Sequence, residues 1–145
     1  MRERKYSSTK VGARFVDITN TSMAPARNAQ LEQEKEEYRA SIAEALQEDE
    51  DPLAAYDDFV KWTLQQYLAD DVSSGLIELL EECTRRFKDD LRYKGDLRYL
   101  KLWSAYAKQV EKPTMIYSYL IKHDIGCVYA LLYEEFAGAL EKEGR

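Results

Sequence analysis

Beyond Asp51, apolar residues return every three or four positions, and the gaps between these runs hold Pro, Gly, Asp and Ser. Leu53, Tyr56, Phe59, Val60, Thr63, Leu64 and Tyr67 trace one face of a helix from Pro52 to about Leu68. Asp51 stands where an N-cap belongs, and Pro52 takes the first helical position, where a missing N–H costs nothing. The cap-rich connector Asp70-Asp-Val-Ser-Ser-Gly75 leads to a second helix with Leu76, Leu79, Leu80, Cys83 and Phe87 on one side. Tyr93-Lys-Gly-Asp96 breaks that helix, and Leu97, Leu100, Trp103, Tyr106, Ala107 and Val110 form a third stripe behind a second Asp cap. Pro113 opens a fourth helix, with Met115, Ile116, Tyr119 and Leu120 expected to face inward. After the turn His123-Asp-Ile-Gly126, a fifth helix carries Val128, Leu131, Leu132, Phe136, Ala139 and Leu140. No segment alternates with the period of two that a half-buried strand requires, so the expected fold is all-α.

Upstream, Leu31, Glu34, Lys35, Tyr38, Ile42, Ala45 and Leu46 place a narrow apolar stripe on an otherwise charged helix, expected over 28–48 and ended by Glu48-Asp-Glu-Asp51. A stripe so thin needs support, and the first hairpin is the expected place for it. Residues 1–27 mix Ser, Thr, Arg and Lys with little periodicity and read as a disordered extension. Within them, the apolar patch Val11–Ile18 either docks as an extended peptide or stays part of the tail; without a core partner the tail is the preferred reading. Residues 52–145 then form the folded domain.

The helices repeat. The first, third and fifth carry aromatic pairs three residues apart: Phe59 and Trp62, Trp103 and Tyr106, Tyr133 and Phe136. Trp62 to Trp103 spans 41 residues and Trp103 to Tyr133 spans 30, which brackets the period of helical-hairpin repeats. An aromatic at such a place fills the groove between the two helices of one hairpin and the first helix of the next. Tandem tetratricopeptide-like hairpins, stacked as a right-handed α-solenoid, are the expected architecture; the uneven spacing keeps an irregular helical bundle as its competitor.

Composition narrows the chemistry. The chain has 145 residues, 27 Asp plus Glu against 21 Lys plus Arg, and a net charge of −6. An acidic balance argues against a nucleic-acid or anionic-membrane binder, because neutralising phosphates needs basic surface. The first thirty residues lack the apolar run of a signal peptide, and no stretch approaches a membrane span, so a soluble intracellular protein is expected. Cys83 and Cys127 are not spaced as a C-x-x-C pair and read as reduced, mostly buried thiols in preference to a disulfide. One His and two Cys fall short of a closed zinc site, so neither metal nor cofactor is expected, and His123 reads as structural or surface. The glycine-rich loop and metal-binding acidic residues of a kinase do not occur. Paired carboxylates such as Glu81-Glu82 and Glu134-Glu135 read as solvated helix faces. Enzyme function fails for lack of parts, which leaves a binding surface. Eleven tyrosines supply large rings for both core and surface.

Four blocks then carry a resemblance: Asp51-Pro-Leu-x-x-Tyr-x-x-Phe-Val-x-Trp62; Tyr93-x-x-Asp-x-Arg-Tyr-Leu-Lys-Leu-Trp103; Tyr117-Ser-Tyr-Leu120 with Ile125-Gly126; and Tyr133-Glu-Glu-Phe136. In this order and separation they resemble the N-terminal homology region shared by Bub-family mitotic checkpoint proteins, over roughly residues 30–145. The resemblance implies a triple tandem tetratricopeptide-like domain of the spindle assembly checkpoint, nuclear and at kinetochores in mitosis. It further implies docking of kinetochore scaffold peptides on the convex side of the middle and third hairpins, with other checkpoint proteins as further candidate partners. The matching positions are Trp103, Tyr106, Gln109 and Tyr119, with Tyr117 nearby; Trp103 and Tyr106 serve equally as repeat core, and polar Gln109 is the weakest anchor. Two departures stand out. The third hairpin of this family has a second helix after the segment that here is Tyr133–Glu143. An incomplete third hairpin with an uncovered helix face is therefore expected, either because the sequence is a piece of a longer one or because the fold closes differently. The Lys-Glu-Asn box of members that inhibit the anaphase ubiquitin ligase is missing, Lys35-Glu-Glu37 being a poor substitute, which favours a kinase-type member or a fragment starting after the box. The alternatives are an inhibitor of the ligase activator within a checkpoint complex, and a helical-repeat adaptor outside mitosis.

Overall fold

The computed structural model describes residues 18–68 and 70–144, with side chains from Pro25 onward. Apart from the backbone at Ile18, the Val11–Ile18 patch lies outside the described residues. Among the described residues there are six α-helices, one short 3₁₀ turn and no strand. The chain divides into two compact units, residues 1–44 and 45–145.

Helix α1 (Ile18–Glu48) supplies most of what is described in the first unit. It starts ten residues ahead of the expected Asn28 and runs through Pro25. The added stretch, Ile18-Thr-Asn-Thr-Ser-Met-Ala-Pro25 followed by Ala26-Arg27, is rich in weak helix formers and holds a proline, so neither propensity nor apolar periodicity marks it as helix in the sequence. Leu31 and Ile42 of the expected stripe are buried, Tyr38 is half-buried, and Lys35 pairs with Glu32 at 3.3 Å.

The second unit is a succession of helix pairs. Helices α2 (Pro52–Gln66) and α3 (Leu76–Arg86) form the first pair, and α4 (Leu97–Ala107) and α5 (Pro113–Lys122) the second. Helix α6 (Ala130–Glu143) packs on α5 and on α4, in the place of a third pair's first helix. Helix α3 lies against both α2 and α4, and α4 also touches α2 and α6. The first helices of successive pairs therefore stand in one row, which is the expected hairpin arrangement. Leu53, Tyr56, Leu80, Cys83, Tyr99, Leu100, Leu120, Ile125 and Leu132 are almost fully buried between them.

The stops and starts follow local chemistry, with one reassignment. Asp71 accepts from the Ser73 N–H at 2.9 Å at the head of the 3₁₀ turn Val72–Ser74, and Gly75 closes that turn at φ +74°. Asp96 caps α4 by accepting from the Arg98 N–H at 2.9 Å. Asp51 occupies the N-cap position of α2 but makes no capping bond, because Arg98 and Tyr93 claim its carboxylate. Helix α5 has no local side-chain cap; Glu143, at the far end of α6, accepts from the Thr114 N–H at 3.0 Å and from its hydroxyl at 2.7 Å.

Several inward expectations change. Met115 is 67% exposed because Tyr117 and Leu120 set the buried side of α5, and Met115 sits about 200° from Tyr117 around the axis. Val128 precedes the start of α6 and points to solvent, while Leu140 stays half exposed beside buried Ala139. Tyr133 is 47% exposed, so it does not fill the inter-hairpin groove; its hydroxyl donates to the Cys127 carbonyl at 2.9 Å. Phe59 and Trp62 are both buried with their rings 6.0 Å apart. Phe136 is half-buried and packs on Tyr117 at 5.9 Å.

Candidate aromatic docking site

The site begins in the core of α4. Tyr99 and Trp103, one turn apart, meet edge-on at 6.2 Å, and the Tyr99 hydroxyl donates to the Thr84 carbonyl of α3 at 2.5 Å. Burial pushes the Tyr99 phenol well above its ordinary pKa. Trp103 is buried, and its indole Nε1 is the one buried side-chain polar atom among the described residues without a hydrogen-bond partner. From Trp103 the rings continue outward. Tyr106 lies 6.2 Å away in a T-shaped contact, and its hydroxyl donates to Glu81 of α3 at 3.0 Å. Burial first, and then the Glu81 charge, raise the Tyr106 phenol. Tyr119 of α5 lies 5.3 Å from the Trp103 ring and 4.0 Å from the His123 ring.

Trp103, Tyr106 and Tyr119 thus form one continuous aromatic ledge, of which Tyr106 and Tyr119 are half-buried and Trp103 is the support beneath. The other two expected positions lie elsewhere. Tyr117 is buried about 200° from Tyr119 around α5. Its hydroxyl donates to Glu135 at 3.2 Å, and burial with that carboxylate's charge pushes the phenol up to about 12. Ser104 also donates to Glu135, and Lys108 approaches it at 3.7 Å. Gln109 is half-buried past the end of α4, beside Val72, Ile77 and Glu78. Sequence reasoning missed Glu81, which fixes Tyr106, and gave His123 no part in the ledge. The His123 ring reaches Tyr119 because His123 caps the C-terminus of α5 four residues after it.

The four sequence blocks converge in the structure. Arg98 donates to both oxygens of Asp51 at 3.0 and 3.2 Å and to Asp96 at 2.7 Å. The Tyr93 hydroxyl donates to Asp51 at 2.9 Å and accepts from the Leu53 N–H at 3.4 Å. The first block is in this way bolted to the second. The Arg98 guanidinium holds the Asp51 carboxyl below the usual range, with help from Tyr93 and against some burial. Burial and Asp51 together push Tyr93 up to about 12. The third block closes the other end: Gly126 N–H donates to the Lys94 carbonyl at 2.8 Å, the Lys94 ammonium to the His123 carbonyl at 2.7 Å, and the Tyr129 hydroxyl to the Gly95 carbonyl at 2.6 Å. These bonds fix the turn that carries His123.

Among the described residues no His, Cys, Asp and Glu side chains group as a metal site, and none of the described helices is long and apolar enough to cross a membrane. Cys83 and Cys127 are both free thiols.

Residues 33–145 match the family model of Mad3/BUB1 homology region 1. The mitotic spindle checkpoint component mad3 of Schizosaccharomyces pombe is 37% identical over 116 residues, which is 79% of this chain and 36% of that protein. The chain therefore spans about a third of the length of that curated relative. A chain in the crystal structure of the mitotic checkpoint complex superposes with a TM-score of 0.75 at 32% identity, over 91% of this chain and 58% of that one. The crystal structure of the conserved N-terminal domain of the mitotic checkpoint component BUB1 gives 0.71 at 29% identity, over 81% and 64% respectively. Mad3-type and BUB1-type proteins both match, and the matched region is the first homology region and not a kinase domain. The chain belongs to the Mad3/BUB1 homology region 1 family.

Proposed function

We propose that this chain is a non-catalytic protein-interaction module of the spindle assembly checkpoint that captures a short helical segment of the kinetochore scaffold on the Trp103–Tyr106–Tyr119 ledge. The observation that carries this reading is the placement of Tyr119, partly exposed yet packed against both the Trp103 and His123 rings at 5.3 and 4.0 Å. A ring fixed in this way presents apolar area without losing rotamer freedom on binding, which is what an anchor pocket requires. An amphipathic helix lays its apolar side chains against Tyr119 and Tyr106, and two or three such anchors carry most of the affinity. Trp103 acts from below as a buttress, and Gln109 and Tyr117 have no direct part. The module would concentrate the rest of its protein at kinetochores of the mitotic nucleus, without nucleic acid or membrane as partner.

The test is fluorescence polarisation with labelled kinetochore-scaffold peptides on the wild-type chain and on Tyr119→Ala, with circular dichroism confirming that both are folded. Binding in the micromolar range or tighter, lost in the folded variant, is the expected result. A well-folded wild-type chain that binds no scaffold peptide refutes the reading, and so does a Tyr119→Ala that binds as before. The likeness to a chain of the mitotic checkpoint complex favours a second reading, assembly with other checkpoint proteins, which co-elution of purified components would detect.

A further inference from the structure

Helix α4 has a second accessible side. Leu97, Lys101 and Ala105 recur there at four-residue steps, and Lys108 continues the line one turn later. With Asp57, Val60, Lys61 and Leu64 of α2 the first three enclose a groove of about 260 Å³. Buried Val60 and Leu102 form its floor, and Leu64 and Leu97, 50% and 37% exposed, form its apolar lips. The charges around it are unequal. Asp57 is already paired with Lys61 at 2.9 Å, and Arg98 with Asp51 and Asp96. Lys101 has no carboxylate partner among the described residues. The slot is aliphatic, and Lys101 is left on its rim as a cation with no carboxylate paired to it among the described residues, so an occupant that brings apolar side chains and a carboxylate fits it.

We propose that this groove between α2 and α4 is a second docking surface, distinct from the aromatic ledge, for an amphipathic helix that carries leucine-like anchors beside Asp or Glu. An anchor seated between Leu64 and Leu97 removes both lips from water, and a carboxylate one turn along the same helix face meets Lys101. The groove does not depend on the ledge. Tyr119 lies on α5, so the two surfaces fail or succeed separately.

The probe is a labelled helical peptide of Leu and Glu with leucines four residues apart, against the same peptide with every Glu replaced by Lys. Both are titrated into the isotope-labelled full chain and followed by amide shifts and fluorescence polarisation. The acidic peptide is expected to shift residues around Leu64, Leu97 and Lys101, at least tenfold more tightly than the basic one, and more weakly as salt rises. Lys101→Glu and Leu64→Asp, both at exposed positions that leave the fold intact, are each expected to weaken it at least fivefold, while Tyr119→Ala leaves it unchanged. Equal binding of both peptides, shifts confined to Tyr106 and Tyr119, no binding of the acidic peptide, or insensitivity to Lys101→Glu would each overturn the proposal. So would concentration-dependent self-association that Leu64→Asp abolishes.

Discussion

Gly126 offers the sharpest test of the packing. Its φ is +73°, and an added Cβ would lie 2.8 Å from Leu100 Cδ1 and 3.1 Å from Leu100 Cβ and Cδ2. The methyl groups of Leu100 can turn aside, but its Cβ is fixed to the α4 backbone, and Leu100 is 1% exposed with no free volume to enter. Gly126→Ala therefore carries two costs. A left-handed conformation with a side chain costs about 1–2 kcal/mol, and forcing a methyl into a filled core costs about 1–3 kcal/mol. Together they give about 2–5 kcal/mol, a large part of the ~5–15 kcal/mol that holds a domain of this size. Gly75 separates the two costs, because its φ is +74° while nothing lies within 4 Å of an added Cβ. Gly75→Ala should lose only the conformational part, about 1–2 kcal/mol. Urea unfolding followed by circular dichroism, with equal m-values across variants, measures both. In a cycle with Leu100→Ala, the two Cδ contacts are removed while the 3.1 Å approach to Cβ stays, so the pair should be less costly than the sum by about 0.5–2 kcal/mol. If Gly126→Ala costs no more than Gly75→Ala, the contact with Leu100 is not what selects glycine there, and the tight seating of the third block on α4 is wrong.

Other outcomes follow from the buried rings and the Asp51 network. Tyr56, Tyr93 and Tyr117 are pushed up to about 12, chiefly by burial, whereas unfolded tyrosine ionises near 10. Their stabilisation is complete below about pH 10 and is lost as the pH rises toward 12, so tyrosinate absorbance and loss of helicity should change together in that window. At the acid end, Arg98 holds Asp51 and Asp96, and Arg92 holds Asp90, below the usual carboxylate range. That stabilisation is present above about pH 4 and lost as pH falls through the lowered values; the groups are partly exposed, so each contributes under ~1 kcal/mol. Asp51→Asn should flatten the acid side of a melting-temperature profile, and an unchanged slope would mean the pair contributes nothing. Trp103→Phe removes the indole N–H together with part of the buried ring system and should cost about 1–3 kcal/mol. Trp103→Ala leaves a cavity under Tyr99, Tyr106 and Tyr119 and should cost about 3–5 kcal/mol; equal costs in thermal melts would show that the N–H does have a partner.

Helix existence was legible because burial on one face forces a period near four, and α2 to α6 all obey it. Which of several apolar faces turns inward was less so. Helix α5 reads Met115-Ile-Tyr-Ser-Tyr-Leu-Ile121, apolar nearly all round, and only its neighbours α4 and α6 decide that Tyr117 and Leu120 go in and Met115 stays out. Asp51 shows the same limit at a helix end. Local rules make it an N-cap, but an arginine 47 residues away makes a better partner for its carboxylate. The start of α1 was missed because residues 18–27 offer neither an apolar stripe nor strong helix propensity, Thr19, Asn20, Thr21, Ser22 and Pro25 all being weak helix formers. At the site, the residue types were readable and their roles were not. An aromatic on a repeat helix suits a core and a ledge equally, and burial alone separates Trp103 and Tyr117 from Tyr119. The partner Glu81 gave no signal at all, since it sits in a run of acids that reads as solvated surface.

The two proposed surfaces meet in α4. Leu100, Trp103 and Ala107 share its buried face, Tyr106 leans toward the ledge, and Leu97, Lys101 and Ala105 face the groove with α2. Lys101 and Tyr106 stand about 140° apart around the axis, and neither shares a hydrogen bond or ion pair with the other. Stability changes at such sites should add within about 0.5 kcal/mol. Binding at one surface should then leave the other unchanged, since coupling needs a ligand that shifts α4 between two packings. The interdigitation of Trp103 with Tyr99, Tyr106 and Tyr119 opposes any rotation of that helix. Titrating a scaffold peptide in the presence of saturating acidic peptide checks this directly, and an affinity change beyond threefold would mean that α4 moves as a lever and not as a fixed wall.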